Sequence, residues 1–354
     1  MLPDAYRQLT EADVRQRILE IKAQLGRRLV ILGHHYQRDQ VIELADFRGD
    51  SYGLCQQAAN QREAEFIIFC GVHFMAEAAD IISHPHQIVQ LPDMMAGCPL
   101  AAYATLADVT QAWNDIRSVI GAATPIIPIT YINSSAEIKA FCGQHGGTVC
   151  TSSNAVSAFR WAFQHAEKLF FFPDQHLGTN TANKLGIPAS ERIVWDPTRP
   201  MGGHSPEAIQ QSRVILWQGH CHVHTWFQLA HLQQVRGSVP GARIIVHPEC
   251  TEEVVNAADA NGSTTYIIKF VQESPADTAI AVGTELNLVN RLARENPDKR
   301  VFPLARSLCP NMYRINLYNL CWTLENLGTV NVVKVDDSIK ADALLALNQM
   351  LSLT

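Results

Sequence analysis

Nine short apolar runs recur along the chain, LVILGHHY, EFIIFCGVHF, QIVQLPD, PIIPITYIN, KLFFFPDQH, SRVILWQGH, ARIIVHPE, TAIAVGTE and RVFPLA, with segments of helical period between them. Uninterrupted Val, Ile, Leu and Phe suit strands that are covered on both faces, the pattern of parallel sheets whose connections are helices. A chain written this way is α/β. In such sheets ligands bind beyond the carboxyl ends of the strands. Those ends carry the polar residues here: His34 and Tyr36, His73, Tyr131 and Asn133, Asp174 and His176, His247 and Glu249, and Glu285.

The order of features repeats. Strands end in polar pairs at His34 and Tyr36, at Tyr131 and Asn133, and at His247 and Glu249. After each comes a helix and then a small-hydroxyl segment that opens another helix: GDSYGL at Ser51, CTSSNA at Ser152, and NGSTTY at Ser263 and Thr264. A cysteine then follows the last strand of each set, Cys98, Cys221 and Cys309. Fixed order at a long period marks a repeated supersecondary unit. We expect three pseudo-equivalent three-layer αβα domains with parallel sheets, spanning residues 1–105, 106–225 and 226–310, with 311–354 as a tail packing back on the first. Around an axis, such units would bring one cysteine each to a centre.

The bulk numbers agree. A chain of 354 residues exceeds the ~250–300 at which single cores stop growing. With 47% hydrophobic and 18% charged residues, neither disorder nor a coiled coil fits. A net charge of −6 without a Lys/Arg run excludes a nucleic-acid surface, which needs clustered cations. The amino-terminal segment reads as a helix with Thr10 as N-cap, Asp13 completing a capping box, and Val14, Ile18, Ile21 and Leu25 on one side, ending at Gly26; it is not a signal peptide. No apolar stretch approaches the ~20 residues of a membrane span, so a cytoplasmic protein with no membrane partner is expected. The nine cysteines, scattered from Cys55 to Cys321, form no secreted disulfide framework.

The stretch VILWQGHCHVHTWF raises a metal question. On a continuing strand His220, His222 and His224 would face one way and Cys221 the other, which disfavours a zinc site built from these neighbours alone. Three thiolates from three units suit an iron–sulfur cluster better, and three ligands leave one iron open as a Lewis acid. GDSYG matches the Gly-x-Ser-x-Gly elbow of serine hydrolases, but the mixed segment before it is no buried strand. Ser51 is expected instead to cap a helix and present its N-terminus to an anion, as are Ser152, Ser263 and Thr264. Ser134 with Glu137 reads as a further capping box. Cys55, Cys70, Cys142, Cys150 and Cys321 read as core.

The motifs GHHYQ, GDSYGL, GVHFMAE, DMMAGCPLA, TYINSSAEIKA, CTSSNA, FFPDQHLG, WQGHCHVH, VHPEC, GSTTYIIKF and GTELNLVNRL, taken together, resemble the iron–sulfur quinolinate synthases of NAD biosynthesis, from about residue 30 to residue 312. The resemblance implies three pseudo-equivalent domains around a central [4Fe-4S] cluster held by Cys98, Cys221 and Cys309. It implies condensation of iminoaspartate with dihydroxyacetone phosphate to quinolinate, with loss of phosphate and two waters. Tyr36 and Glu249 would move protons, with His224 beside the open iron. His34, Tyr131, Asn133 and His247 would orient substrates, and Ser51, Ser152, Ser263 and Thr264 would hold carboxylate or phosphate groups, Ser152 or its neighbour Ser153 being the contact in TSS. Some members carry Cys-x-x-Cys-x-x-Cys around the last ligand. Here Cys309 stands alone, so a disulfide switch in that segment is not expected. His35, His220, His222 and Cys250 receive no role, and a transient contact with the L-aspartate oxidase or aspartate dehydrogenase that makes iminoaspartate is left open. The rival readings are a diphthamide-type iron–sulfur enzyme and a non-catalytic cluster or zinc carrier.

Overall fold

The apolar runs fold as the pattern requires. The computed structural model describes residues 2–353, and their strands and helices alternate along the chain. The chain forms two compact units, one of residues up to Cys98 with Glu285–Arg291 and Leu308–Asp336, the other of Pro99–Thr284, Leu292–Ser307 and Asp337 onward.

In the first unit β1 (Leu29–His34), β2 (Phe47–Gly49), β3 (Phe66–Cys70) and β4 (Ile88–Gln90) lie parallel in the order β2-β1-β3-β4. All six residues of β1 are buried, which is why its sequence shows no alternation. The helix His73–Ile82 is buried nearly all round. A two-residue strand, Val332–Val333, closes the β4 edge antiparallel. The capping box of Thr10 and Asp13 forms as expected, and its helix, Glu11–Leu25, buries Val14 and Ile18 and packs on the helix Leu317–Glu325.

The second unit holds two parallel sheets. One contains β5 (Ile126–Tyr131), β6 (Thr148–Cys150), β7 (Lys168–Phe172), β8 (Arg192–Trp195) and β9 (Val214–Trp217) in the order β6-β5-β7-β9-β8. The other contains β10 (Arg243–Val246), β11 (Ala260–Asn261), β12 (Ala279–Gly283) and β13 (Arg300–Pro303) in the order β11-β10-β12-β13. Each sheet, with β8 and the Val332–Val333 strand set aside as outer additions, has its strands in the order second, first, third, fourth. The threefold repetition is thus written in topology. The direction of winding reverses between the first and third strands, the crevice where open α/β sheets bind ligands. Polar strand ends such as His34 to Tyr36, Tyr131 and His247 to Glu249 sit there.

Local details differ from expectation at several helix starts. The cap before the helix Ser51–Asn60 is Asp50, whose carboxylate accepts the Gly53 N–H, and Ser51 is the first helical residue. Asn154 rather than Ser152 precedes the helix Ala155–His165. Ser135, not Ser134, caps Ala136–Gln144 by accepting the Ile138 N–H. Ser263 does cap Thr264–Glu273, accepting the Tyr266 N–H. The tail expected beside the first repeat divides: Leu317–Glu325 and Val332–Val333 lie in the first unit, whereas Asp337–Ser352 packs against Ala136–Gln144 and β6 in the second. A Cβ on Gly143 would fall 1.9 Å from the Asp342 carbonyl oxygen, so only glycine allows these backbones to approach so closely.

Candidate active site

In the second unit the ends of β5 and β10 meet at one carboxylate. The Tyr131 hydroxyl donates to Glu249 Oε1. His224 Nδ1 lies 3.1 Å from Glu249 Oε2, and the His247 ring stacks on that of His224 at 4.2 Å and 15°. The Glu249 backbone N–H donates to His247 Nδ1 at 3.3 Å, which places the ring proton of a neutral His247 on Nε2. Thr284 Oγ1 faces His224 Nε2 at 3.2 Å. The loop is buttressed from behind, where Asn180 Nδ2 donates to the Pro248 and Cys250 carbonyls at 2.8 and 2.9 Å. Glu249, His224 and His247 are each 2% exposed. Burial alone would push Glu249 up, but the two histidines and the Tyr131 hydroxyl outweigh it and hold the carboxyl at about 2. It is an ionised group kept dry by its neighbours.

Cys221 joins this network because the chain turns where extension was expected. Residues His222–Thr225 form a single helical turn with Cys221 as its N-cap. Positions three apart on a turn share a face. Ligand atoms of Cys221, His224 and Glu249 consequently all lie within 4.8 Å of one another. His220 instead packs by Tyr103, ring centroids 5.2 Å apart, and His222 is exposed. Asp174 at the end of β7 caps the helix Gln175–Lys184, accepting the His176 and Leu177 N–H groups at 2.8 and 2.9 Å. Its own burial, then the Glu249 charge, raise it well above the ordinary carboxylate range. The two neighbouring acids are thus driven apart, Glu249 downward and Asp174 upward.

The first unit repeats part of this design. The Tyr36 N–H donates to His34 Nδ1 at 3.1 Å, as Glu249 does to His247 two residues before it. The two rings meet edge to face at 4.7 Å. Asn287 Nδ2 donates to the Tyr36 carbonyl at 3.2 Å, and Arg291 donates to the His35 and Gln37 carbonyls. Glu285, at the strand end matching Asp174, likewise accepts the Asn287 and Leu288 N–H groups at 2.8 and 3.4 Å. Burial raises it to about 8 against backbone N–H groups that include that of Cys309. Cys98 ends a loop tied to the end of β3 by the His73 N–H, which donates to the Ala96 carbonyl at 2.8 Å.

Of the remaining candidates, Asn133, Ser51 and Ser152 are half-buried, Ser153 is exposed, and Ser263 and Thr264 are buried. Sequence reasoning missed the part played by Thr284, Asp174, Asn180 and Asn287. The matching positions of Asp174 and Glu285 at the ends of third strands were the available signal. The cysteines separate by environment. Cys98, Cys221 and Cys309 are half-buried, each in an irregular loop after a fourth strand, while the other six are buried. Burial pushes Cys70 and Cys321 to about 12 and lifts Cys142, Cys150 and Cys250 above the usual thiol range. These stay inert thiols. The three half-buried cysteines are therefore the set whose chemistry fits an iron–sulfur group.

Residues 16–352 match the quinolinate synthetase A protein family. A quinolinate synthase of Rhodopirellula baltica is 50% identical over 363 residues, covering 98% of this chain and 92% of its own. Those of Herpetosiphon aurantiacus and Halalkalibacterium halodurans are 51% and 49% identical, over 98% and 99% of this chain and 94% and 96% of theirs. Similarity of this extent, over nearly the whole of each sequence, makes the chain a member of the quinolinate synthetase A protein family.

Proposed function

We propose that the chain is a quinolinate synthase that condenses iminoaspartate with dihydroxyacetone phosphate, releasing phosphate and two waters. The observation that carries the reading is the buried Glu249 carboxylate, ionised among Tyr131, His224 and His247 and within 4.8 Å of Cys221. Cys98, Cys221 and Cys309 would hold a [4Fe-4S] cluster, which when bound supplies a Lewis acid for removing hydroxyl oxygen as water.

The chain's own residues supply the proton traffic. The Glu249 carboxylate is held ionised by the histidines and tyrosine around it, so it is free to accept a proton from a substrate placed against it. It takes a proton from a carbon next to an imine or carbonyl and returns it to a departing oxygen. Tyr131 and His224, bonded to its two oxygens, fix their directions. Stacking on His247 holds the His224 plane. Tyr36 is assigned the second acid–base role, its backbone fixed by His34 and Asn287. The hydroxyls of Ser51, Ser152, Ser263 and Thr264, near helix starts, suit substrate carboxylate and phosphate groups.

The test is anaerobic turnover. Purified protein should contain about four iron and four sulfide per chain and make quinolinate from iminoaspartate and dihydroxyacetone phosphate. Protein with a full cluster and no product would refute the reading.

A further inference from the structure

The turn His222–Thr225 does more than present one cysteine to a cluster. We infer that, in the chain without its cluster, Cys221 Sγ, His224 Nδ1 and a Glu249 carboxylate oxygen form a site for a single thiophilic divalent cation, with zinc as the type.

The donors are of the three kinds zinc takes from proteins, and three protein ligands leave a fourth position for water. The His224 Nδ1 to Glu249 Oε2 separation of 3.1 Å is already close to the edge of a tetrahedron with ~2.0–2.1 Å bonds. All three donors lie within 4.8 Å of one another, so closing on a metal needs side-chain adjustment alone. The charges balance. The Cys221 thiol gives up its proton, Glu249 is already ionised, and two negative ligands neutralise a dication in a buried place. With Nδ1 on the metal, the ring proton of His224 sits on Nε2, where Thr284 Oγ1 stands 3.2 Å away to receive it as a hydrogen bond. Tyr131 bonds the second carboxylate oxygen. Orienting partners of this kind accompany most metal ligands and carry a 10–100-fold share of affinity.

Occupation takes the base, its histidine and one cluster thiolate out of use together. The zinc form and the cluster form then exclude each other. That exclusion rests on Cys221 being a cluster ligand, whereas the binding itself does not.

The test uses the full-length, metal-free chain under anaerobic conditions with Zn(II) or Co(II) as the added metal. One ion should bind per chain, and the cobalt form should show a thiolate charge-transfer band with the intensity of a single thiolate. Cys221→Ser should abolish that band. His224→Ala and Glu249→Gln should weaken zinc at least tenfold, while Cys98→Ser and Cys309→Ser leave affinity and spectrum unchanged. Absence of binding, a three-thiolate intensity, loss of affinity in Cys98→Ser or Cys309→Ser, or indifference to both His224→Ala and Glu249→Gln would each overturn the inference. Should the variants fold poorly, the intensity in the unaltered chain decides. Reconstitution with iron and sulfide in parallel separates the two readings. Cluster uptake without zinc binding sinks only the zinc site, and zinc binding without cluster uptake sinks only the cluster.

Discussion

Two residues a short way past parallel strands show how differently burial acts on charge. Glu249 is buried but sits among two histidines and a tyrosine hydroxyl, and its charge survives. Glu249→Gln keeps an acceptor for Tyr131 and removes the base. Iron content and KM should stay near those of the parent while kcat falls by about 10²–10⁴, the usual worth of a positioned acid–base group. Undiminished kcat would remove Glu249 from that role. For His35 the one opposing charge, Asp50, is outweighed. Burial, then the Arg291 guanidinium, lower the histidine from 6.5 to about 4. Between those values the unfolded chain binds a proton that the folded chain refuses. Stability is therefore lost as pH falls from 6.5 towards 4, at up to ~1.4 kcal/mol per pH unit. Above 6.5 the group is neutral in both states and contributes nothing. His35→Asn should flatten that part of the profile, read from urea midpoints at pH 7 and pH 5, and an unchanged slope would assign the acid sensitivity elsewhere.

At the scale of elements, what the sequence made legible follows burial. β1, β5 and β7 are buried throughout, and their runs announce them. β2, with Phe47 half-buried and Arg48 exposed, and the two-residue β11 lie at sheet edges, where a strand needs no apolar signature. Caps slipped for a related reason. Asp50 competes with Ser51 beside it, and sequence alone does not say which side chain reaches the free N–H; Asn154 takes the N-cap position with its Oδ1 turned back to the Thr151 N–H. The turn at Cys221 was hidden because HCHVH reads equally well as a strand's continuation. That turn depends on Gly219, where a Cβ would meet the Pro173 carbonyl oxygen at 2.2 Å and Tyr103 Cβ at 3.0 Å. Gly219→Ala should cost about 1–3 kcal/mol of stability, as overpacking does. It should also reduce iron and sulfide retained per chain, because the loop that must shift carries Cys221. An unchanged melting temperature and iron content would show that the loop adapts freely.

At the scale of the whole molecule, triplication was readable because order persists where identity does not. A polar strand end, a hydroxyl-bearing segment at or just before a helix, and a late cysteine recur in register with the second-first-third-fourth strand order. The final helix was not readable in the same way, since nothing in its amphipathic pattern names its partner. Asp337–Ser352 buries Ala343, Ala346, Leu347 and Met350. Thr148 Oγ1 donates to the Ala346 carbonyl at 3.4 Å, and Asn154 Nδ2 to that of Met350 at 3.3 Å. The contacts reach the helix before β6 and the turn that contains Ser152, so the segment braces a proposed anion-binding loop. Leu347→Ala should cost about 2–5 kcal/mol. Ending the chain at Asp336 should cost more than Leu347→Ala, because it also strips partners from Thr148 and Asn154 and bares the face around Gly143. Hydrogen exchange should then rise first in Ala136–Gln144 and β6, with KM rising before kcat falls. If exchange there stayed as slow as in the intact chain, the helix would be an ornament of the second unit and its contacts would carry no stability.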